Sequence, residues 1–146
     1  MRNTIGIVAT IVLSLAPARV QAQGGRFKVI VNAENPVNAL PASEISRIFM
    51  GRATRWPDGA LIEPVDQTDG SAVHVRFVSD IHHKDAAALS SYWQQQIFAG
   101  KDVPPPAMGT DTDILAYVRK HPGAIGYVSA DTPIGQDVKV IIVTND

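Results

Sequence analysis

The sequence predicts an α/β domain in which helices lie between the strands of a single sheet. Two observations lead to this prediction. Short β-branched segments alternate with longer segments of helical apolar spacing, and glycine or proline stands at most connections. The chain has 146 residues, 45% hydrophobic and 18% charged, which suits one globular domain rather than two. Helices placed between strands require crossovers onto a shared sheet.

The first 22 residues are predicted to be a secretory signal peptide, and residues 23–146 the mature domain. Met1–Asn3 is a short basic start, Thr4–Leu15 is apolar and uncharged, and Val20–Ala22 places small residues where a signal peptidase recognises them. The apolar run is too short to span a bilayer. We therefore expect cleavage after Ala22 and export to a bacterial periplasm, with a buried N-terminal helix as the less favoured alternative.

Four segments rich in β-branched residues are predicted to be strands. They are Phe27–Val31, Leu61–Val65, Ala124–Val128 and Val138–Val143. Pro64 has no backbone N–H to donate, so we expect the second strand to lie at a sheet edge or to end early. The polar stretch Asp66–Gly70 is expected to be a connection. Residues 101–109 contain three consecutive prolines and are expected to be an extended spacer.

Four helices are predicted from apolar residues that recur every three or four positions. They begin near Leu40–Pro41, Ser71, Asp85 and Thr110. Ser71 and Thr110 can cap their helices, and Asp113 follows Thr110 in a capping-box-like pair. Gly51 stands where a helix-ending glycine is expected.

The third helix carries the strongest apolar pattern. Leu89, Trp93 and Ile97 are spaced by four and are predicted to face the core. Because this spacing accounts for Trp93, we favour a core position for it over a stacking platform shared with Trp56 and Tyr92.

The composition excludes several classes of site. The sequence has no cysteine, which excludes disulfides, iron–sulfur clusters, zinc fingers and cysteine nucleophiles. Its net charge of −1 excludes a strongly basic surface for nucleic acid. Walker A, GxGxxG and GxSxG patterns are absent from the sequence, so we expect neither a cofactor nor catalysis.

Histidine is the remaining residue type that could indicate a metal. His82 and His83 lie in residues 80–84, which interrupt the second helix, and adjacent residues there face different ways. His74 lies eight residues earlier, and no glutamate completes a zinc-binding pattern. We therefore expect no metal site, and we interpret His82–His83 as a solvated helix end.

The turn Thr68–Ser71 is the strongest candidate for a ligand site. A predicted strand leads into it and a helix follows, so backbone N–H groups at the helix start would attract an anion. Gly70 permits a close approach of the backbone, and Thr68 and Ser71 add hydroxyl groups. A capped helix without any ligand is the alternative interpretation, which this pattern leaves open.

Four segments taken together carry a resemblance to a known family. They are Val29–Asn32 with Asn35–Pro36 and Leu40, Ile48–Arg52 with Arg55–Gly59, Phe98–Lys101 with Pro104–Pro105, and Pro122–Val128. In this order and spacing, from about Phe27 to Ser129, the chain resembles the substrate-binding proteins of phosphate ABC transporters. More narrowly, it is similar to short single-domain members of the periplasmic binding protein superfamily.

The resemblance implies a fold and a set of ligand residues. The fold is a single three-layer lobe of the type 2 periplasmic-binding-protein kind, with a small mixed sheet and flanking helices. The full family has two lobes that close on phosphate, and this chain resembles the second lobe only. Thr68, Asp69, Gly70 and Ser71 match the family's anion loop. Arg76, one turn into the helix, is either a compensating donor or a surface arginine.

The chain also departs from that loop at three positions. Gln67 replaces an arginine, Ala72 a glycine and Val73 a hydroxyl residue. Loss of a charge-assisted donor and of a hydroxyl would each remove about 1–3 kcal/mol of anion stabilisation.

Two functions are compatible with these features. The first is an exported solute-binding domain that binds inorganic phosphate or another small anion at the start of the Ser71 helix. The second is a ligand-free interaction module that binds a membrane transporter or an envelope protein. A homodimer that rebuilds a two-sided site would reconcile them.

Overall fold

The computed structural model describes residues 26–146; the signal peptide predicted for residues 1–22 and its cleavage site lie outside the described residues. The strands in this part of the chain are β1 (Phe27–Asn32), β2 (Ala39–Pro41), β3 (Glu63–Pro64), β4 (Asp66–Gln67), β5 (Ala107–Met108), β6 (Ala124–Ser129), β7 (Val138–Val140) and β8 (Ile142–Thr144). The α-helices are α1 (Ala42–Phe49), α2 (Ala72–Phe77), α3 (Ala86–Phe98) and α4 (Asp111–Lys120), and a π-helical segment, Val78–His82, continues α2. Between residues 26 and 146, no helix has the length and apolar character needed to cross a membrane.

A four-stranded mixed sheet in the order β3–β6–β1–β7 forms the middle layer. β1 pairs antiparallel with both β6 and β7, and β3 pairs parallel with β6 at one edge. Val29 lies opposite Tyr127 and Val31 opposite Ile125. Two short parallel pairs, β2 with β8 and β4 with β5, lie outside this sheet.

Both faces of the sheet are covered, which gives the three layers implied by the resemblance. Val29 and Val31 of β1 belong to the core packed by α1 and α2, whereas Ile30 belongs to the core packed by α4. The first core includes Ile45, Ile48, Phe49, Phe77 and Tyr127. The second includes Val65, Ile114, Leu115, Val118 and Val128. A strand buried on both sides alternates in this way, and the predicted α/β class is confirmed.

The predicted starts of α2 and α4 are confirmed by their caps. Ser71 Oγ accepts a hydrogen bond from the His74 backbone N–H at 3.0 Å. Thr110 Oγ1 accepts one from the Asp113 N–H at 3.1 Å and donates to the Asp113 carboxylate at 2.9 Å. Gly51, with φ of 73°, takes the left-handed conformation that ends α1, as its position predicts.

Two of the predicted strands differ from the structure. The segment Leu61–Val65 is reduced to β3, which lies at the sheet edge as Pro64 requires. The segment Val138–Val143 forms two strands that are divided at Ile141, which is buried and donates its N–H to the Val29 carbonyl at 3.0 Å. β8 can then leave the main sheet and pair with β2.

Two segments predicted as connections pair with each other. Residues 66–70 begin with β4, and the proline spacer contains β5. The Asp66 N–H donates to the Pro106 carbonyl at 2.8 Å, and the Thr68 N–H donates to the Met108 carbonyl at 3.0 Å. This pairing fixes the turn after β4 against the spacer.

His82 is buried, so the prediction of a solvated helix end is wrong for this residue. The π-helical segment carries its ring inward, where Nδ1 lies 2.8 Å from Ser46 Oγ and the ring meets Phe77 edge-on. Burial lowers the pKa of His82 from 6.5 to about 4. His83 takes a left-handed conformation, with φ of 51°, where the segment ends.

The core positions predicted for α3 are confirmed for two residues of the three. Leu89 and Trp93 are buried, in a cluster with Met50 and Val78. Ile97 is 52% exposed, because α3 extends by a turn beyond that cluster.

We predict that His82 makes the fold sensitive to acid. Its pKa is lower in the folded chain than in the unfolded chain, so the unfolded state binds the proton first. The contribution of His82 to the free energy of unfolding is fully present above about pH 6.5. It is lost as the pH falls towards 4, by about 3 kcal/mol over that interval. Urea denaturation across this range should show a steeper loss for the wild type than for His82→Gln. The control His83→Asn, which suits the left-handed conformation, should keep the wild-type slope; equal slopes for wild type and His82→Gln would contradict this account.

Candidate ligand-binding cavity

A cavity of about 440 Å³ opens between the turn after β4, helix α3 and the proline spacer. Thr68, Asp69 and His74 contribute polar walls, and Trp93 and Pro104 contribute apolar ones. None of the described residues that line it is a lysine or an arginine. A volume of this size suits a small solute.

Two of the predicted site residues line this cavity, and two more follow them in the same turn. Thr68 and Asp69 line the cavity directly. Gly70 has φ of 89°, and a Cβ added there would meet no atom within 4 Å, so the backbone is open. Ser71 follows as the cap of α2, and its hydroxyl donates to Gln67 Oε1 at 3.1 Å.

Arg76 is not part of this group. Its Nε donates to Asp80 Oδ2 at 2.6 Å on the surface of the helix. Both residues line a different depression, together with Phe27. The structure therefore places Arg76 as a surface arginine paired within its own helical segment.

Gln67, at the position where the resemblance has an arginine, is buried and points into the protein. Its Nε2 donates to Asp111 Oδ1 at 2.9 Å and to the Tyr127 carbonyl at 3.1 Å, while its Oε1 accepts from the Ser71 hydroxyl. Asp111 lies in the first turn of α4 and also accepts the Ser129 N–H at 3.1 Å. One carboxamide thus joins the starts of α2 and α4 to strand β6.

His74 is the site residue that the sequence reasoning missed. Its side chain is only 4% exposed and lies on the cavity wall. Nδ1 lies 2.9 Å from the Tyr127 hydroxyl and 3.3 Å from Asp66 Oδ1. Nε2 has no hydrogen-bond partner, although Asp69 Oδ1 lies 3.3 Å away, because the geometry of that contact is unsuitable.

The electrostatics of this cluster are set by Asp66 and by burial. The hydrogen bond to Asp66 raises the pKa of His74, and burial opposes that rise. Burial, followed by the Asp66 charge, raises the pKa of Tyr127, so its hydroxyl keeps its proton and donates to Asp66 Oδ1. The Tyr127 ring stacks on Phe77 with centroids 3.8 Å apart.

A weak signal for this cluster is present in the sequence. Tyr127 places a phenol in an otherwise apolar strand, and a buried phenol requires a polar partner. Asp66 follows a predicted strand, and His74 lies three residues after a capping serine. The sequence alone does not pair these residues, because 53 positions separate His74 from Tyr127.

Within residues 26–146, no three His, Asp or Glu side chains are grouped closely enough to hold an ion. His82 and His74 lie on one helical segment, but the Nδ1 atoms face Ser46 and Tyr127 respectively.

Comparison with known proteins identifies relatives of this chain. The family model of a PBP superfamily domain matches residues 17–141. Comparison with curated proteins gives no match. An ABC-type phosphate transport receptor from Vibrio cholerae superposes with a TM-score of 0.63 at 18% identity, over 80% of this chain and 45% of that one. A protein described as a phosphate ABC transporter substrate-binding protein from Clostridium perfringens, with bound phosphate, gives 0.62 at 23% identity, over 80% and 44%.

The chain spans less than half the length of these solved structures. At such identities the likeness establishes the fold, and the ligand of each relative is a property of that relative.

We predict that Gln67→Leu destabilises the fold by about 2–4 kcal/mol, because the Asp111 carboxylate and the Tyr127 carbonyl lose a buried donor. Urea denaturation measures this loss. The control Gln95→Leu, on the exposed side of α3, should change the free energy of unfolding by no more than about 0.5 kcal/mol. Equal stability of the two variants would show that the buried carboxamide is not a structural link.

Proposed function

The chain belongs to the PBP superfamily, and we propose that it is an exported solute-binding domain that takes inorganic phosphate or a related small oxyanion into the cavity beside Thr68. The observation that carries the proposal is the position of the anion-loop turn: Thr68 and Asp69 line a solute-sized cavity. A protein of the same fold was solved with phosphate bound, which supports phosphate as the first ligand to test. Export to a periplasm is our prediction from residues 1–22.

The turn offers the donors that an oxyanion requires. Thr68 is exposed and presents a hydroxyl group, and the open backbone at Gly70 allows close approach. Buried Leu89 and Trp93 form the opposite wall, which limits the water around a bound ion.

The two carboxylates of the cavity do not prevent anion binding. Asp66 already accepts a hydrogen bond from Tyr127 and lies beside His74, and both contacts partly offset its negative charge. The Asp69 side chain is 96% exposed and is free to turn towards solvent. A ligand-free interaction module is the less favoured alternative, because Thr68 and Asp69 of the turn line a solute-sized cavity.

We predict that Thr68→Asp weakens phosphate binding by tenfold or more. A carboxylate at the cavity rim repels the anion by about 1–4 kcal/mol at 4 Å, depending on the local dielectric. Isothermal titration calorimetry with sodium phosphate measures the effect.

The matched control is Thr68→Asn, which has nearly the same shape as the aspartate and no charge. It should bind phosphate within about threefold of the wild type, because the backbone bond from Thr68 to Met108 is retained. Absence of any heat up to millimolar phosphate in the wild type would overturn the proposed function. Equal binding by the aspartate and asparagine variants would move the anion away from Thr68.

A further inference from the structure

A cationic partner would strengthen the binding of an oxyanion in this cavity, yet no lysine or arginine lines it. We propose that His74 is that partner: its Nε2 contacts the bound anion, and the imidazole takes up a proton as the anion enters, so that capture is coupled to protonation. This inference rests on the proposed function and adds to it the charged ligand residue and its regulation by pH.

The hydrogen-bond partners of His74 show which ring nitrogen carries the proton in the neutral form. The Tyr127 hydroxyl donates its single proton to Asp66 Oδ1. It can therefore only accept a hydrogen bond from His74. Nδ1, 2.9 Å from that hydroxyl, must therefore be the donor. The neutral ring then carries its lone pair on Nε2, and this is the atom that gains the proton when His74 becomes charged.

The buried Nε2 atom of His74 lacks a hydrogen-bond partner among residues 26–146, which points to a ligand at this atom. Among the residues of the described chain, His74 Nε2 is the one buried side-chain nitrogen or oxygen without a hydrogen-bond partner. Leaving a buried polar atom unpaired costs about 1–3 kcal/mol, and more for a charged group. A ligand oxygen in the adjoining cavity would accept the Nε2 proton and remove that cost.

The groups around the ring favour a positive charge on balance. Asp66 on β4 and Asp69 in the turn raise the pKa of His74, and Tyr127 on β6 stays neutral. His82, further along the same helical segment, is held neutral by burial. The walls contributed by α3 and the spacer carry no charged side chain within the cavity.

The sign of the pH dependence follows from this arrangement. The His74 pKa is raised in the folded chain, so the ring is charged below that pKa and loses its proton as the pH rises through it. Anion affinity should therefore be high on the acidic side and fall on the alkaline side. Above the pKa, the limiting slope is tenfold in affinity for each pH unit, for a single linked proton.

Asp69 provides an intramolecular competitor. Its carboxylate lies 3.3 Å from Nε2 and is almost fully exposed, so an entering anion can displace it at small structural cost. Removing its charge should leave the fold intact and tighten anion binding, which is the reverse of the effect expected if Asp69 accepted a proton from the ligand.

The experiment is calorimetric titration with sodium phosphate at about pH 6 and pH 8, in two buffers of different ionisation enthalpy. The buffer difference gives the number of protons taken up on binding. Comparison with His74→Gln, which keeps a neutral donor, removes the contribution of phosphate's own titration. The control His82→Gln changes the other buried histidine of the segment, which lines no part of the cavity.

At about pH 6, where the wild-type ring is already charged, we expect His74→Gln to bind phosphate at least tenfold more weakly than the wild type. At about pH 8, where the wild-type ring has to gain its proton on binding, the variant should take up fewer protons than the wild type. His82→Gln should match the wild type in both. Asp69→Asn, an exposed change that spares the fold, should bind about three- to tenfold more tightly at about pH 6, where the charged ring is released from Asp69.

Three other outcomes would contradict the inference, and they show whether phosphate binding itself still stands. If His74→Gln is folded and matches the wild type in affinity and proton uptake, His74 does not contact the anion, while phosphate binding itself stands. Weaker binding by Asp69→Asn would contradict the competitor role and with it the placement of the anion at Nε2. If the wild type binds no phosphate at either pH, the proposed function and this inference fail together.

Discussion

The hydrogen bond from the Tyr127 hydroxyl to Asp66 is the contact on which the site depends. Tyr127 is fully buried on a central strand, with its ring stacked on Phe77 of α2. Its hydroxyl joins the main sheet to the short strand β4 that leads into the turn Thr68–Ser71. Because the same oxygen accepts from His74, it also fixes the orientation of the imidazole at the cavity wall.

Gln67, at the position where the resemblance has an arginine, is a structural link between three elements. Its carboxamide donates to Asp111 and to the Tyr127 carbonyl, and it accepts the Ser71 hydroxyl. A guanidinium group could not replace it, because arginine has donors only and would leave the Ser71 hydroxyl without an acceptor. The positive charge that an arginine would bring to the turn is therefore absent. In our proposal, His74 supplies a positive charge to the cavity instead.

Local features of the fold could be predicted from the sequence, whereas features set by distant contacts could not. The caps at Ser71 and Thr110 are confirmed because each depends on residues within three positions. The pairing of β4 with β5 joins segments about 40 positions apart that carry no periodic pattern, so it was missed. The edge position of β3 was predictable, because the missing N–H of Pro64 excludes a central place.

In the candidate site too, the features that depend on neighbouring residues could be predicted and those that depend on distant contacts could not. The turn Thr68–Ser71 was identified from glycine and hydroxyl chemistry, and two of its residues line the cavity. Arg76 was attractive on spacing alone, but Asp80, one turn further on, engages it. The contribution of His74 depends on Asp66 and Tyr127 together, and the long-range partner among these is invisible to any local pattern.

The most direct test of the account is an NMR pH titration of the histidine rings, with and without sodium phosphate. Two-bond ¹H–¹⁵N correlations report which ring nitrogen carries the proton and how each imidazole titrates. The account predicts that neutral His74 is protonated on Nδ1, and that phosphate raises the pKa of His74 while leaving that of His82 unchanged. A His74 pKa that is the same in both titrations, in a sample that binds phosphate by calorimetry, would contradict the claim that this imidazole is the cationic partner.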